Sequence, residues 1–167
     1  WITLGPGTKE FEDQFAKYTG AKYAVGLSSC TAALHLALIA AGVGPGDEVI
    51  TTIFTFAASI NPVLILGGKP VLVDIDEQTM NIDVNLIENA ITKKTKVIIP
   101  MHYGGYPCNM DAIRKIAKKY NLIIIEDAAT AIGTTYKGKK VGNIGDMTCF
   151  SFHPIKNMST GDGGMVT

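Results

Sequence analysis

The sequence predicts an α/β fold: three layers, α/β/α, around a mainly parallel sheet. Three observations carry this. Short β-branched runs of strand length recur along the chain, stretches with helical spacing separate them, and the runs are near-continuously apolar, as in strands covered on both faces. Such alternation calls for right-handed crossovers between neighbouring parallel strands. With 167 residues, 47% of them hydrophobic, the chain is long enough for one core and leaves little room for a second.

The elements follow in order. A helix over 9–18 spaces Phe11 and Phe15 four apart and stops at Gly20, and a strand over 23–27 comes next. The helix over 31–41 spaces Leu34, Leu38 and Ala41 ahead of Gly42, so Gly20 and Gly42 are both expected as C-terminal caps. Strands are expected over 48–52, 70–74, 96–100 and 122–126. Between them, one helix opens with Asp83 as its N-cap and runs through Leu86, Ile87 and Ile91. Another, over 111–120, puts Ile113, Ile116 and Ala117 on one face and its basic residues elsewhere. After Asp127 the pattern turns glycine-rich, with a hairpin around 137–142, a strand over 147–152, and at 164–167 a strand that has only started. Trp1 opens the chain without a methionine, so the expectation is one domain over 1–167, an incomplete piece of a longer polypeptide.

Composition narrows the function classes. Fifteen basic residues balance fifteen acidic ones, leaving no field to attract nucleic acid or an anionic membrane surface. The apolar runs are too short and too interrupted for a membrane span, and the first residues carry no signal pattern. Cys30, Cys108 and Cys149 are odd in number and form no C-x-x-C, which reads as buried free thiols in a reducing compartment. A soluble, cytoplasmic protein is expected.

In open α/β sheets ligands bind beyond the carboxyl ends of the strands, so candidate residues are sought there. Ser28, Ser29, Cys30 and Thr31 open a helix where free N–H groups and the dipole suit a phosphate, although an ordinary N-cap reads the same way. Phe54 and Phe56 follow the second strand, as rim aromatics or as core. Glu126 and Asp127 close a buried run, which suggests either a waiting cation or a surface pair. Ser151 and Lys156 stand five apart before Gly161, Gly163 and Gly164, where the lysine amine is either solvated or desolvated and nucleophilic. Other motifs fail. Residues 133–139 spell G-x-x-x-x-G-K, but Lys140 replaces the Ser or Thr of a P-loop and no apolar helix follows. Gly42, Gly44 and Gly46 lead into a strand, not out of one. His35, His102 and His153 have no metal-ligand spacing.

A phosphate-type helix start, an aromatic, a carboxylate after a buried strand and a later lysine are the parts that hold pyridoxal phosphate. The residues resemble the sugar aminotransferases of the DegT/DnrJ/EryC1/StrS family, within the fold-type I pyridoxal phosphate enzymes. The resemblance runs through Leu4-Gly5-Pro6, the segment from Ser28 to Leu38, Gly44-Pro45-Gly46-Asp47-Glu48-Val49, Thr55-Phe56, Val73-Asp74-Ile75-Asp76, Glu126-Asp127-Ala128-Ala129, and Ser151-Phe152-His153 through Lys156-Asn157 to Gly164. It implies that Lys156 is the Schiff-base lysine, Asp127 the partner of the ring nitrogen and Phe56 the stacking aromatic. The amides of Cys30 and Thr31 and the hydroxyl of Ser151 would hold the phosphate. Where the family usually has His or Gln against the cofactor ring, this chain has Thr130, which would reach the ring hydroxyl only through water.

The resemblance further implies transfer of an amino group from glutamate to a keto group on a nucleotide-linked sugar. It also implies a homodimer with shared active sites and a C-terminal small domain that this chain lacks. Relatives that dehydrate such sugars replace the lysine, usually with histidine, so Lys156 favours transamination. A lyase or amino-acid aminotransferase of the same fold type remains open but should show a carboxylate-binding arginine, and the one arginine is Arg114. A non-enzymatic relative is expected to lose Lys156 or Asp127, and both are present.

Overall fold

The computed structural model describes residues 5–167; Trp1 and Leu4 lie outside them. The helix ends are set by the residues that the sequence marks. Pro6 starts α1 (Pro6–Thr19), and Gly20, left-handed at φ 79°, ends it with its N–H on the Ala16 carbonyl. Ser29 caps α2 (Cys30–Ala40) by accepting the Ala32 N–H. At its far end, Gly42 (φ 71°) donates to the Ile39 carbonyl and Val43 to the Leu38 carbonyl, the paired bonds of a Schellman motif. Asp83 caps α4 (Val84–Ala90), and Asn109, one residue earlier than expected, caps α5 (Met110–Tyr120). One helix was not foreseen: α3 (Asn61–Ile65), preceded by a 3-10 turn at Ala57–Ser59. A five-residue helix with Pro62 in its first turn is too short to display a period.

The strands are β1 (Val25–Leu27), β2 (Glu48–Thr52), β3 (Lys69–Val73), β4 (Thr95–Ile99), β5 (Ile123–Asp127), the small pair β6 (Thr135–Tyr136) and β7 (Lys139–Lys140), β8 (Met147–Ser151) and β9 (Gly164–Val166). Seven of them form one sheet in the order β1-β9-β8-β5-β4-β2-β3. Pairing is parallel from β3 through β2, β4 and β5 to β8, whereas β9 runs antiparallel to both β8 and β1. The first strand is therefore an edge strand two residues shorter than expected, and half exposed instead of covered on both faces. At the other edge β3 keeps its expected five residues, shifted by one, and is likewise half exposed, while all five residues of β2 are buried. The G-x-x-x-x-G-K segment is the β6–β7 hairpin, turning through Lys137 and Gly138 at positive φ.

Side-chain alternation along the inner strands divides the core in two. Ile50, Ile98, Ile124 and Phe150 point into the layer of α1, α4 and α5, against Phe15, Ile87 and Ile113. Val49, Val97, Ile99, Ile125 and Cys149 point into the layer of α2 and α3, against Leu34, Leu38 and Val63. This is the expected α/β/α sandwich. Leu38 is fully buried, so truncating it to alanine costs about 2–5 kcal/mol. The same alternation sends the adjacent carboxylates of Glu126 and Asp127 to opposite layers. Among the described residues no helix is long and apolar enough to cross a membrane.

Candidate active site

The carboxyl ends of β2, β4, β5 and β8 lie along one edge of the sheet. Because β9 is antiparallel to both its neighbours, β1 also ends there, and it delivers the N-terminus of α2. Gly164, the first residue of β9, pairs with Leu27 on one side and Ser151 on the other. A Cβ on Gly164 would stand 2.3 Å from the Ser29 carbonyl carbon and 2.6 Å from the Cys30 nitrogen. This close approach of main chains, which only glycine permits, sets α2 against β8.

A cavity of about 270 Å³ opens at this edge, at the small end of ligand sites. Cys30, Thr31, Phe56, Asp127, Ser151 and Lys156 all line it, so the structure brings together six of the seven residues that the resemblance assigns to the cofactor. Thr130 is the exception. Its hydroxyl donates to the His102 carbonyl at 3.2 Å, and Ala129 lines the cavity instead. Ser29, Ala58, Met101, His153, Ile155 and Asp162 complete the wall. Broader grooves elsewhere, such as the one of about 710 Å³ along α5, are open surface.

Each candidate has a local reason for its place. The amides of Cys30 and Thr31 precede the first intrahelical bond of α2, from Ala33 N–H to the Ser29 carbonyl, so helix geometry gives them no carbonyl. Phe56 is 73% exposed and Phe54 40%, which settles the rim against the core reading. Lys156 is half-buried in the turn after β8, with its N–H on the His153 carbonyl at 2.9 Å. Asp127 is the last residue of β5 and is 2% exposed. Its Oδ2 accepts from Ser59 Oγ at 2.6 Å and its Oδ1 from the Ala129 N–H at 3.1 Å. Burial, and then the Asp127 carboxylate, push the Cys30 thiol well above its ordinary value, while Lys156 acts in the opposite sense. All three cysteines are free and buried, as expected.

The other carboxylate is engaged elsewhere. Glu126 and His102 are both fully buried, with Oε2 2.8 Å from Nε2. Glu126 Oε1 accepts from the Gly145 N–H at 2.7 Å and from Thr148 Oγ1 at 2.8 Å. His102 Nδ1 accepts the Cys108 N–H at 3.1 Å, so the ring hydrogen lies on Nε2 and is donated to Glu126. Neither Ser59 nor the His102–Glu126 pair was foreseen. Only the apolar run leading into Glu126 hinted that this carboxylate needed a partner. No group of His, Cys, Asp and Glu among the described residues could hold a metal ion.

Asp127 decides what the cavity suits. Buried carboxylates are normally matched by a cation. Among the described residues no Lys, Arg or His nitrogen lies within ion-pair distance of it. Its two donors are neutral and it faces a cavity. A protonated ring nitrogen fits that face, a phosphate fits the amides of Cys30 and Thr31, and a carbonyl carbon fits the reach of an amine. The residues present therefore fit pyridoxal phosphate. Arg114, the arginine an amino-acid carboxylate would need, is exposed on α5 and does not line the cavity.

Comparison with known proteins agrees. The chain is 52% identical over 167 residues to the spore coat polysaccharide biosynthesis protein SpsC of Bacillus subtilis. It is 50% identical over 168 residues to GDP-perosamine synthase of Caulobacter vibrioides. Both alignments cover all of this chain, but it spans only 43% and 45% of those relatives. Among solved structures, an aminotransferase from Psychrobacter cryohalolentis superposes with a TM-score of 0.96 at 48% identity, covering 98% of this chain and 42% of that one. A second structure, NtdA from Bacillus subtilis with bound cofactor PMP, gives 0.94 at 42% identity, covering 99% of this chain and 37% of that one. The model of one family matches residues 1–167, and the chain belongs to that family, the DegT/DnrJ/EryC1/StrS aminotransferases.

Proposed function

We propose that residues 1–167 form the cofactor-binding large domain of a cytoplasmic, pyridoxal phosphate-dependent aminotransferase, which passes an amino group from glutamate to the keto group of a nucleotide-linked sugar. The observation that carries this reading is the pairing of Lys156 with a buried, cation-free Asp127 at one cavity. When bound, pyridoxal phosphate supplies an electron sink for the carbon that gains or loses the amino group. Asp127 would keep the ring nitrogen protonated. The amides of Cys30 and Thr31 and the Ser151 hydroxyl would bind the phosphate, and Phe56 would cover a ring face. Lys156 Nζ would carry the cofactor and, when free, move a proton at the substrate carbon. Thr130 would act from outside the cavity wall, through the His102 carbonyl.

The sugar-nucleotide reading draws on the GDP-perosamine synthase relative. A homodimer with shared active sites, and a further domain, would close a cavity that otherwise admits water. The test uses the full-length polypeptide. Borohydride reduction and peptide mapping should place the pyridoxyl group on Lys156, and incubation with glutamate and keto-sugar nucleotides should give an amino-sugar nucleotide by mass spectrometry. Label on another lysine, or no aminated product from any sugar offered, overturns the proposal.

A further inference from the structure

Ser59 lies on the 3-10 turn that the sequence did not announce, and it is fully buried. It is not part of the cavity wall. Its hydroxyl has one proton, and Asp127 Oδ2, 2.6 Å away, can use that proton only as an acceptor. Thr55 Oγ1 lies 2.9 Å from Ser59 Oγ. With the Ser59 proton committed to Asp127, Thr55 is the donor of this second bond; its other acceptor, Met101 Sδ at 3.3 Å, is a weak one beside a hydroxyl oxygen at 2.9 Å, so the hydrogen bonds run in one direction, from Thr55 through Ser59 to Asp127. The Ser59 N–H closes the turn on the Phe56 carbonyl at 3.0 Å, so the turn that presents the Phe56 ring to the cavity also holds the carboxylate.

We propose that Ser59, oriented by Thr55, is a positioning residue that fixes the Asp127 carboxylate for a protonated ring nitrogen in the cavity; this rests on the function proposed above. With Oδ2 held by Ser59 and Oδ1 by the Ala129 N–H, the carboxylate cannot turn about its Cβ–Cγ bond without breaking both bonds. Its remaining acceptor capacity then stays toward the cavity that it lines. A hydroxyl serving only to fill a buried space would have no preference for a ligand that carries a ring nitrogen.

That difference gives the test. The full-length polypeptide and its Ser59→Ala variant are compared by equilibrium dialysis against pyridoxal phosphate and against the analogue in which the ring nitrogen is replaced by CH. Loss of a hydrogen bond to a charged group should weaken pyridoxal phosphate binding about tenfold, equivalent to about 1.4 kcal/mol. The analogue should change by less than about twofold. Thr55→Val, which leaves the Ser59 hydroxyl in place, should show a smaller loss with the same selectivity and covers the case in which Ser59→Ala fails to fold. Ser59→Thr should restore most of the binding. Equal losses for both ligands, or no loss for either, overturn the inference and leave the proposed function standing. If the parent itself binds no pyridoxal phosphate, the proposed function falls and this inference with it.

Discussion

Glu126→Gln exchanges one oxygen for NH2 at a position that is fully buried, and the hydrogen-bond geometry leaves that change no neutral solution. If the amide oxygen keeps the Gly145 N–H and Thr148 hydroxyl, the NH2 faces the hydrogen on His102 Nε2. Turning the amide over sets the NH2 against the Gly145 N–H instead. Moving the ring hydrogen to Nδ1 lets Nε2 accept, but opposes it to the Cys108 N–H. Every arrangement leaves one donor facing another. A buried unsatisfied donor costs about 1–3 kcal/mol, and loss of the carboxylate's stronger bond adds about 1 more. The expected destabilisation is about 2–4 kcal/mol. At about 2–4 °C per kcal/mol for a chain of this size, the melting temperature should fall by roughly 4–16 °C. Thermal unfolding followed by circular dichroism measures it, with Thr148→Val, which removes a single donor, as a milder reference near 1 kcal/mol. A Glu126→Gln variant within about 0.5 kcal/mol of the parent would show that the pair does not hold its layer together. The site should feel the change as well, because the His102 N–H bonds the Asp127 carbonyl and the His102 carbonyl takes the Thr130 hydroxyl.

Asp127→Asn should fold but slow amino transfer in the full-length polypeptide by roughly 30- to 5,000-fold, corresponding to about 2–5 kcal/mol for a buried charged contact; near-normal single-turnover rates with intact cofactor absorbance would exclude Asp127 as the ring partner. Gly164→Ala should cost at least about 1–3 kcal/mol in urea unfolding, since the added carbon meets main-chain atoms of Ser29 and Cys30 that shift only if α2 moves. It should also weaken pyridoxal phosphate binding, and unchanged stability would refute the close approach. Burial raises all three thiols above the ordinary value of 9.0, so above about pH 9 the unfolded chain loses thiol protons that the folded chain keeps. Each thiol should then lower stability by about 1.4 kcal/mol per pH unit. Urea midpoints at pH 8 and pH 10.5 test this, and Cys108→Ala should reduce the drop.

The alternation of apolar strands and amphipathic helices, the caps at Gly20, Gly42 and Asp83, and the two-sided core were legible because they are local: a period, a propensity or a turn residue states them within a dozen positions. The same is true of the chemistry at the strand ends, where Lys156, Asp127, Ser151 and the start of α2 stand out as residue types out of keeping with their surroundings. The tertiary structure alone decided the rest. Adjacent carboxylates on a strand must face opposite layers, but only the pairing of β5 between β4 and β8 determined that Asp127 meets the cavity and Glu126 meets His102. Ser59 reaches Asp127 across 68 positions, β9 reverses direction to bring Gly164 against α2, and Thr130 turns from the cavity to the His102 carbonyl. These contacts depend on hydrogen-bond distances between segments remote in sequence, and no local pattern of hydrophobicity or backbone propensity encodes them.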